Sequence, residues 1–177
     1  AGVTLIEADK MGGDCLNTGC VPSKTLIKSA KVAAAMRHAD RYGLNPVEPD
    51  VPFPNVIARV QSAIATIEPH DSIERYEGLG VDVVMGHAKL VDPWTVEIAR
   101  RDGETQRLTA RNIVIASGAD PVVPPIDGLS QSGYLTSDTM WDAFAKMDAV
   151  PRRLAVLGGG PIGCELSQAM ARLGSQV

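Results

Sequence analysis

The chain has 177 residues, 45% hydrophobic and 21% charged, with a formal net charge of −4. That length and composition fit a globular chain of one or two domains with enough apolar side chain for a core. The acidic balance gives no basic footprint for nucleic acid, and no apolar run approaches the roughly 20 residues of a membrane-spanning helix.

The first residues, Ala1-Gly2-Val3-Thr4-Leu5-Ile6-Glu7, start inside a strand pattern with no initiator methionine. The last, Gly174-Ser175-Gln176-Val177, stop where a further strand is due. The sequence therefore reads as an internal fragment of a longer chain. Residues 3–7 form a short apolar run ending in an acid, the pattern of a buried parallel strand with Glu7 at its carboxyl end. In dinucleotide-binding folds an acid in that position accepts hydrogen bonds from a ribose. Taken alone, Glu7 reads as an ordinary solvent-facing acid, and only its place beside the cysteine motif favours the ribose role.

Next comes Gly12-Gly13-Asp14-Cys15-Leu16-Asn17-Thr18-Gly19-Cys20-Val21-Pro22-Ser23-Lys24. The glycines let backbone approach a flat or phosphorylated ligand. Cys15 falls where a helix can begin, and a helix N-terminus favours a thiolate. In a regular helix, positions five apart point about 140° away from each other, whereas a disulfide needs Cα atoms within about 7 Å. Gly19 and Pro22 relieve this conflict, since Pro22 cannot donate a backbone hydrogen bond and loosens the turn. The chemistry favours a redox pair that opens and closes. A structural staple and a pair of buried thiols remain alternatives. The remaining cysteine, Cys164, and three scattered histidines complete no zinc pattern, so no metal site is predicted.

Residues 24–38 read as an amphipathic helix, with Leu26, Ile27, Ala30, Ala33, Ala34 and Met36 on the apolar face. Gly43, Asn45, Pro46, Pro49 and Pro52 make a loop. A second helix covers 55–67 and ends at Pro69, with a further turn or two over 71–78. His70 is assigned no chemistry. Residues 81–85 are β-rich, 90–91 and 95–99 alternate as exposed strands do, and Asp102-Gly103 signals a hairpin whose return strand covers 106–108. Residues 112–116 predict another buried strand, running into Ser117-Gly118-Ala119. A stiff linker follows through Pro121, Pro124, Pro125 and Gly128, then a helix over 137–146 beginning at Ser137-Asp138. A short strand over 154–157 leads into Gly158-Gly159-Gly160-Pro161-Ile162-Gly163, a G-x-G-x-x-G turn opening a helix closed by Gly174. These glycines allow a tight turn and close approach of a pyrophosphate to the helix N-terminus. The residue that selects NAD or NADP is due about 20 positions after the motif starts, beyond Val177.

The cysteine string resembles the active-site signature of the class I pyridine nucleotide-disulfide oxidoreductases, the family that includes mercuric reductase, dihydrolipoamide dehydrogenase and glutathione reductase. It keeps the pattern GG-x-C-x-N-x-GC-x-PSK, and the resemblance extends along nearly the whole chain. It implies an α/β fold with two Rossmann-like dinucleotide-binding domains, both incomplete, and a small antiparallel β insert. Residues 1–120 would be the FAD-binding domain and 121–177 the start of the NAD(P)-binding domain.

The resemblance also implies the cofactors FAD and NAD(P)H. Cys20 would be the thiolate facing the flavin and Cys15 the interchange thiol. Lys24 would lie near the flavin and pair with Glu165. Glu7, Gly12, Gly13, Lys24, Ala88, Ser117, Gly118, Gly158, Gly160 and Gly163 would line the cofactors. Ser117 stands where the family usually has threonine and keeps the hydroxyl. Cys164 reads as a small buried hydrophobe.

The enzyme expected is cytoplasmic and homodimeric at full length. It would pass electrons to a small-molecule disulfide or a metal ion, with no nucleic-acid or membrane partner. The string 67–76 leans toward the mercuric-reductase-like branch, with dihydrolipoamide dehydrogenase as the alternative. A different class, a non-catalytic redox-sensing or nucleotide-binding module, is disfavoured by the complete active-site string. The fragment by itself is expected to bind flavin poorly and to be inactive.

Overall fold

The computed structural model describes residues 2–177. The chain forms two compact units by contact, Ala1–Asn17 with Thr66–Asp120, and Thr18–Ala65 with Pro121–Val177. The α/β class expected from the sequence is the one observed.

The first unit is a mixed four-stranded sheet in the order β1-β2-β3-β4. Strand β1 is Val3–Glu7 and β2 is Val81–Asp92. They pair in parallel from Val3 opposite Val81 to Glu7 opposite Met85. Strands β3 (Thr95–Arg100) and β4 (Thr105–Thr109) continue the sheet antiparallel. The sequence suggested separate strands around 81–85 and 90–91, but β2 is one strand that serves two partners. It passes from β1 to β3 at Gly86, where an added Cβ would stand 2.5 Å from the Ala99 carbonyl oxygen. Val84, Val96 and Ile98 are buried, and Ile6, Leu108 and Ile113 pack against them. The hairpin at Asp102-Gly103 forms as expected, with Gly103 at φ 88°. Asp102 accepts the Glu104 amide at 3.0 Å. That bond is the main cause holding its carboxyl below the ordinary carboxylate range.

Residues 112–116 do not form the predicted strand. Among the described residues no strand pairs with them, and Val114 and Ile115 are 87% and 72% exposed. An apolar run without a neighbour cannot satisfy its backbone groups as a strand. Strand β1 is likewise only half-buried rather than buried. Helix α1 (Gly13–Asn17) also lies in this unit. Helix α4 (Ile73–Gly78) does too, and the Ser72 side chain caps it by accepting the Arg75 amide.

The second unit is helical. Helix α2 spans Cys20–Arg37, α3 Phe53–Ile67, α5 Met140–Phe144 and α6 Pro161–Leu173. Leu26 and Ala30 of α2, Phe53, Ile57 and Val60 of α3, Trp141 and Phe144 of α5, and Met170 and Leu173 of α6 share one core. Phe53 meets Phe144 edge-on at 5.5 Å between ring centroids, and Phe144 meets Trp141 at 6.3 Å. Gly174, at φ 116°, closes α6 as the sequence predicted. Arg37 at the end of α2 donates to the Arg172 carbonyl on α6 at 2.5 Å.

Two expected elements do not form as predicted in this unit. The helix over 137–146 shrinks to α5, because Thr136 and Thr139 hold a local turn in which the Thr136 amide donates to Thr139 Oγ1 at 2.9 Å. Such side-chain bonds compete with helix formation. Residues 154–157 form no strand. The chain makes only an isolated parallel bridge, Arg153 with Gln176.

Candidate functional site

Glu7 ends β1, and its Oε1 accepts the Asp9 amide at 2.7 Å, which turns the chain sharply after the strand. Arg101, in the turn between β3 and β4, reaches the same place. Its Nη2 donates to the Ala8 carbonyl at 3.2 Å and to the Asp9 carbonyl, while its own amide bonds the Met85 carbonyl at 3.3 Å. Periodicity did not single out Arg101. The only sequence signal is a cation beside the Asp102-Gly103 hairpin. Ala88 stands in the antiparallel half of β2, opposite Ile98.

Gly12 and Gly13 have φ of 84° and 54°, and a Cβ on Gly12 would meet Leu16 Cδ2 at 2.4 Å. The glycine pair is therefore required by a left-handed turn that closes tightly on Leu16. Cys15 lies exposed on α1. Gly118, at φ 71°, backs onto this segment, and its position for a Cβ is 3.3 Å from Asp14 Oδ2. Within the first unit, the chain's Ser117-Gly118 segment thus meets the cysteine motif beside Cys15.

The second unit holds the rest. Cys20 is the first residue of α2, with Gly19 as its N-cap. The sequence placed a helix start at Cys15 and the long helix from Lys24. Instead the long helix opens on Cys20, and Cys15 sits in the single short turn before it. Pro22 supplies the reason. It lies in the first turn of α2, where a missing N–H is tolerated, and it prevents α1 from continuing unbroken into α2. The Thr18 carbonyl at the break accepts the Trp141 indole N–H at 2.8 Å. Trp141 is a second residue that sequence reading missed, because nothing local links α5 to the cysteine segment.

Lys24 and Glu165 form an ion pair and hydrogen bond, as the resemblance implied. Their side chains are 60% and 45% exposed, and such pairs contribute about 0–1 kcal/mol. The pair's importance is therefore positional, because it joins the helix that Cys20 opens to the helix that follows the glycine turn. A cleft of 320 Å³ opens beside it, between Lys24, Ile27 and Lys31 on α2 and Glu165, Gln168 and Arg172 on α6.

The glycine turn is tight on its inner side and open on its outer side. Gly158 is at φ 116°, and a Cβ on Gly163 would stand 2.2 Å from the Gly158 carbonyl oxygen. Gly160 caps α6 without any side-chain hydrogen bond, so the first-turn N–H groups face outward unclaimed by a side chain. A Cβ on Gly160 would meet nothing within 4 Å, which leaves the space where a phosphate approaches. Gly163→Ala is expected to destabilise the second unit by about 1–3 kcal/mol through overpacking. Gly160→Ala should leave stability within about 0.5 kcal/mol and weaken nicotinamide-nucleotide binding. Urea midpoints and nucleotide titrations of the two variants read both effects, and equal stability losses would contradict the assignment.

Cys164 is exposed, not buried, with its Sγ 3.4 Å from the Gly159 carbonyl oxygen, because that side of the first turn of α6 is uncovered. His70 lies exposed in a 3-10 turn, Glu68–Asp71. Among the described residues no three His, Cys, Asp or Glu cluster to hold a metal, and no helix is long and apolar enough to cross a membrane.

Known proteins resemble the whole chain. The family described as pyridine nucleotide-disulphide oxidoreductase matches residues 1–177. A mercuric reductase of Streptomyces lividans is 36% identical over 99% of this chain and 36% of its own length. One of Serratia marcescens is 36% identical over all of this chain and 38% of its own length. Among solved structures, LpdA of Mycobacterium tuberculosis superposes with a TM-score of 0.78 at 30% identity, covering 98% of this chain and 37% of that one. The HOCl-induced flavoprotein disulfide reductase RclA of Escherichia coli gives 0.76 at 26% identity, covering 100% of this chain and 36% of that one. The chain thus spans little more than a third of the length of these proteins.

Proposed function

The chain belongs to the pyridine nucleotide-disulphide oxidoreductases, enzymes dependent on FAD and NAD(P)H, and from that premise we propose that it carries the electron-transfer core of a reductase of the mercuric-reductase type. The observation that carries this reading is the Lys24–Glu165 pair. It ties the helix opened by Cys20 to the helix whose N-terminus suits a nicotinamide nucleotide, so the two redox elements share one support. When bound, NAD(P)H and FAD supply the two electrons and relay them.

The protein residues have distinct tasks in this proposal. Residues 1–120 serve the flavin and 121–177 the nicotinamide nucleotide. Glu7 holds the adenosine ribose of FAD, with Gly12, Gly13, Ala88, Ser117 and Gly118 along the same cofactor. Gly158, Gly160 and Gly163 form the turn on the second pyrophosphate. Lys24 stabilises negative charge beside the flavin, and Glu165 keeps Lys24 oriented. Cys20 receives the electron pair and Cys15 passes it on. With a disulfide substrate, the Cys15 thiolate attacks one sulfur and expels the first thiolate. The Cys20 thiolate then attacks Cys15, expelling the protein-bound half and restoring the Cys15–Cys20 bond. With Hg(II), both thiolates would hold the ion, and the two electrons that reduce it to Hg(0) would come from NAD(P)H by way of FAD. The assembled enzyme is a homodimer in this reading.

The mercuric reductases at 30–36% identity favour the metal ion. A disulfide substrate is the second reading, favoured by the likeness to the flavoprotein disulfide reductase RclA. NAD(P)H oxidation by the full-length protein, measured with Hg(II) and with lipoamide, decides between them. Turnover with neither would sink the proposal. Lys24→Ala and Glu165→Gln are each expected to lower that turnover about 10- to 100-fold while moving the urea midpoint by less than about 1 kcal/mol of stability. A larger stability loss with unchanged turnover would make the pair structural.

A further inference from the structure

The break between α1 and α2 leaves a specific backbone group to account for. In an α-helix the carbonyl of residue i accepts the amide of residue i+4. The first carbonyl so served in α2 is that of the N-cap, Gly19, so no helical amide is due to Thr18. The Ser23 amide bonds the Gly19 oxygen at 3.0 Å. Thr18 precedes the Gly19 N-cap and lies outside α2, between the two motif cysteines. The Trp141 indole Nε1 donates to this oxygen from 2.8 Å.

The indole is well suited to the task. Trp141 is 9% exposed, so its N–H needs a protein partner. Edge-on contact with Phe144, which in turn meets Phe53, fixes the ring. The donor therefore projects from a packed core instead of from a mobile surface side chain. We infer that Trp141 is a positioning residue for the redox-cysteine segment: its indole N–H holds the Thr18 carbonyl, and with it the backbone entering Cys20, in one geometry. The inference rests on the proposed redox role of Cys15 and Cys20. Without this bond the Thr18 peptide is free to turn, and closing the disulfide must order it again.

The test is a redox titration of the full-length flavin-loaded protein in glutathione buffers, following the thiol count of Cys15 and Cys20. In the forward direction the S–S bond of oxidised glutathione breaks and two glutathione thiols leave. The two cysteine thiols lose two electrons and two protons to them as the Cys15–Cys20 bond forms. Trp141→Phe keeps most of the ring volume and removes only the donor. It is expected to lower the equilibrium constant for disulfide formation about tenfold, equivalent to a potential about 30 mV more oxidising for this two-electron couple.

The outcomes separate cleanly. If the wild-type protein shows no two-thiol couple, the functional reading falls and this inference with it. If the couple is present and Trp141→Phe leaves it within about twofold, the inference alone falls. Should Trp141→Phe fail to fold, indole hydrogen exchange in the wild-type protein decides. The other tryptophan, Trp94, is 60% exposed. Exchange at Trp141 at least tenfold slower than at Trp94 supports the bond, and equal rates refute it.

Discussion

Cys15→Ser and Cys20→Ser in the full-length protein are each expected to cut NAD(P)H-driven turnover by at least about 10³-fold. The two losses should arise differently. Cys15 is exposed on a short turn, and in the proposed cycle it is the thiol that meets the external substrate. Cys15→Ser should therefore still accept electrons from NAD(P)H and keep the long-wavelength absorbance of a thiolate beside the flavin. Cys20 opens α2, four residues before the Lys24 that reaches Glu165. Cys20→Ser should lose that absorbance. Stopped-flow reduction with NAD(P)H reads both. If Cys20→Ser retains the band and Cys15→Ser loses it, the two roles are exchanged. If both variants keep turnover within tenfold of wild type, the pair is not the redox centre.

Phe53→Ala is expected to cost about 3–5 kcal/mol of stability. Phe53 has no exposed surface, opens α3 and stands edge-on to Phe144. Removing the ring leaves a cavity among side chains of α2, α3, α5 and α6 that have no reason to collapse into it. The loss also reaches the candidate site, since Phe144 supports Trp141 and Trp141 bonds Thr18. Phe53→Ala should thus lower the urea midpoint and also speed alkylation of Cys20 under native conditions, whereas Lys24→Ala should do neither to that extent. A midpoint change below about 1 kcal/mol would mean that this core repacks freely.

Much of the local architecture was legible in the residues themselves. The helical spacing of Leu26, Ala30 and Ala33 marked a face that is buried, whereas in α3 the periodicity pointed to Val56, Val60, Ile64 and Ile67 and the helix instead buries Phe53, Ile57 and Val60. Gly158, Gly103 and Gly174 announced positive φ angles that other residues seldom adopt. The Lys24–Glu165 pair was expected only through family resemblance, because the two residues lie 141 positions apart and nothing local connects them.

The errors share a cause. Residues 112–116 and 154–157 have strand composition, yet a strand exists only when a neighbour takes its backbone hydrogen bonds, and composition does not say whether one is present. Strand β2 went the other way, with two suspected strands becoming one because Gly86 lets β3 approach closely. The sequence by itself determined that the chain is α/β, that two cysteines stand either side of a turn before a proline, and that a G-x-G-x-x-G turn opens the last helix. Those features follow from φ preferences and side-chain periodicity, which act within a few residues. Only the tertiary structure decided that Cys20 begins α2, that Arg101 grips the turn after Glu7, and that a tryptophan 123 positions away bonds the Thr18 carbonyl between the two cysteines. Each of these depends on a donor or acceptor finding its partner in space, and sequence distance carries no information about that.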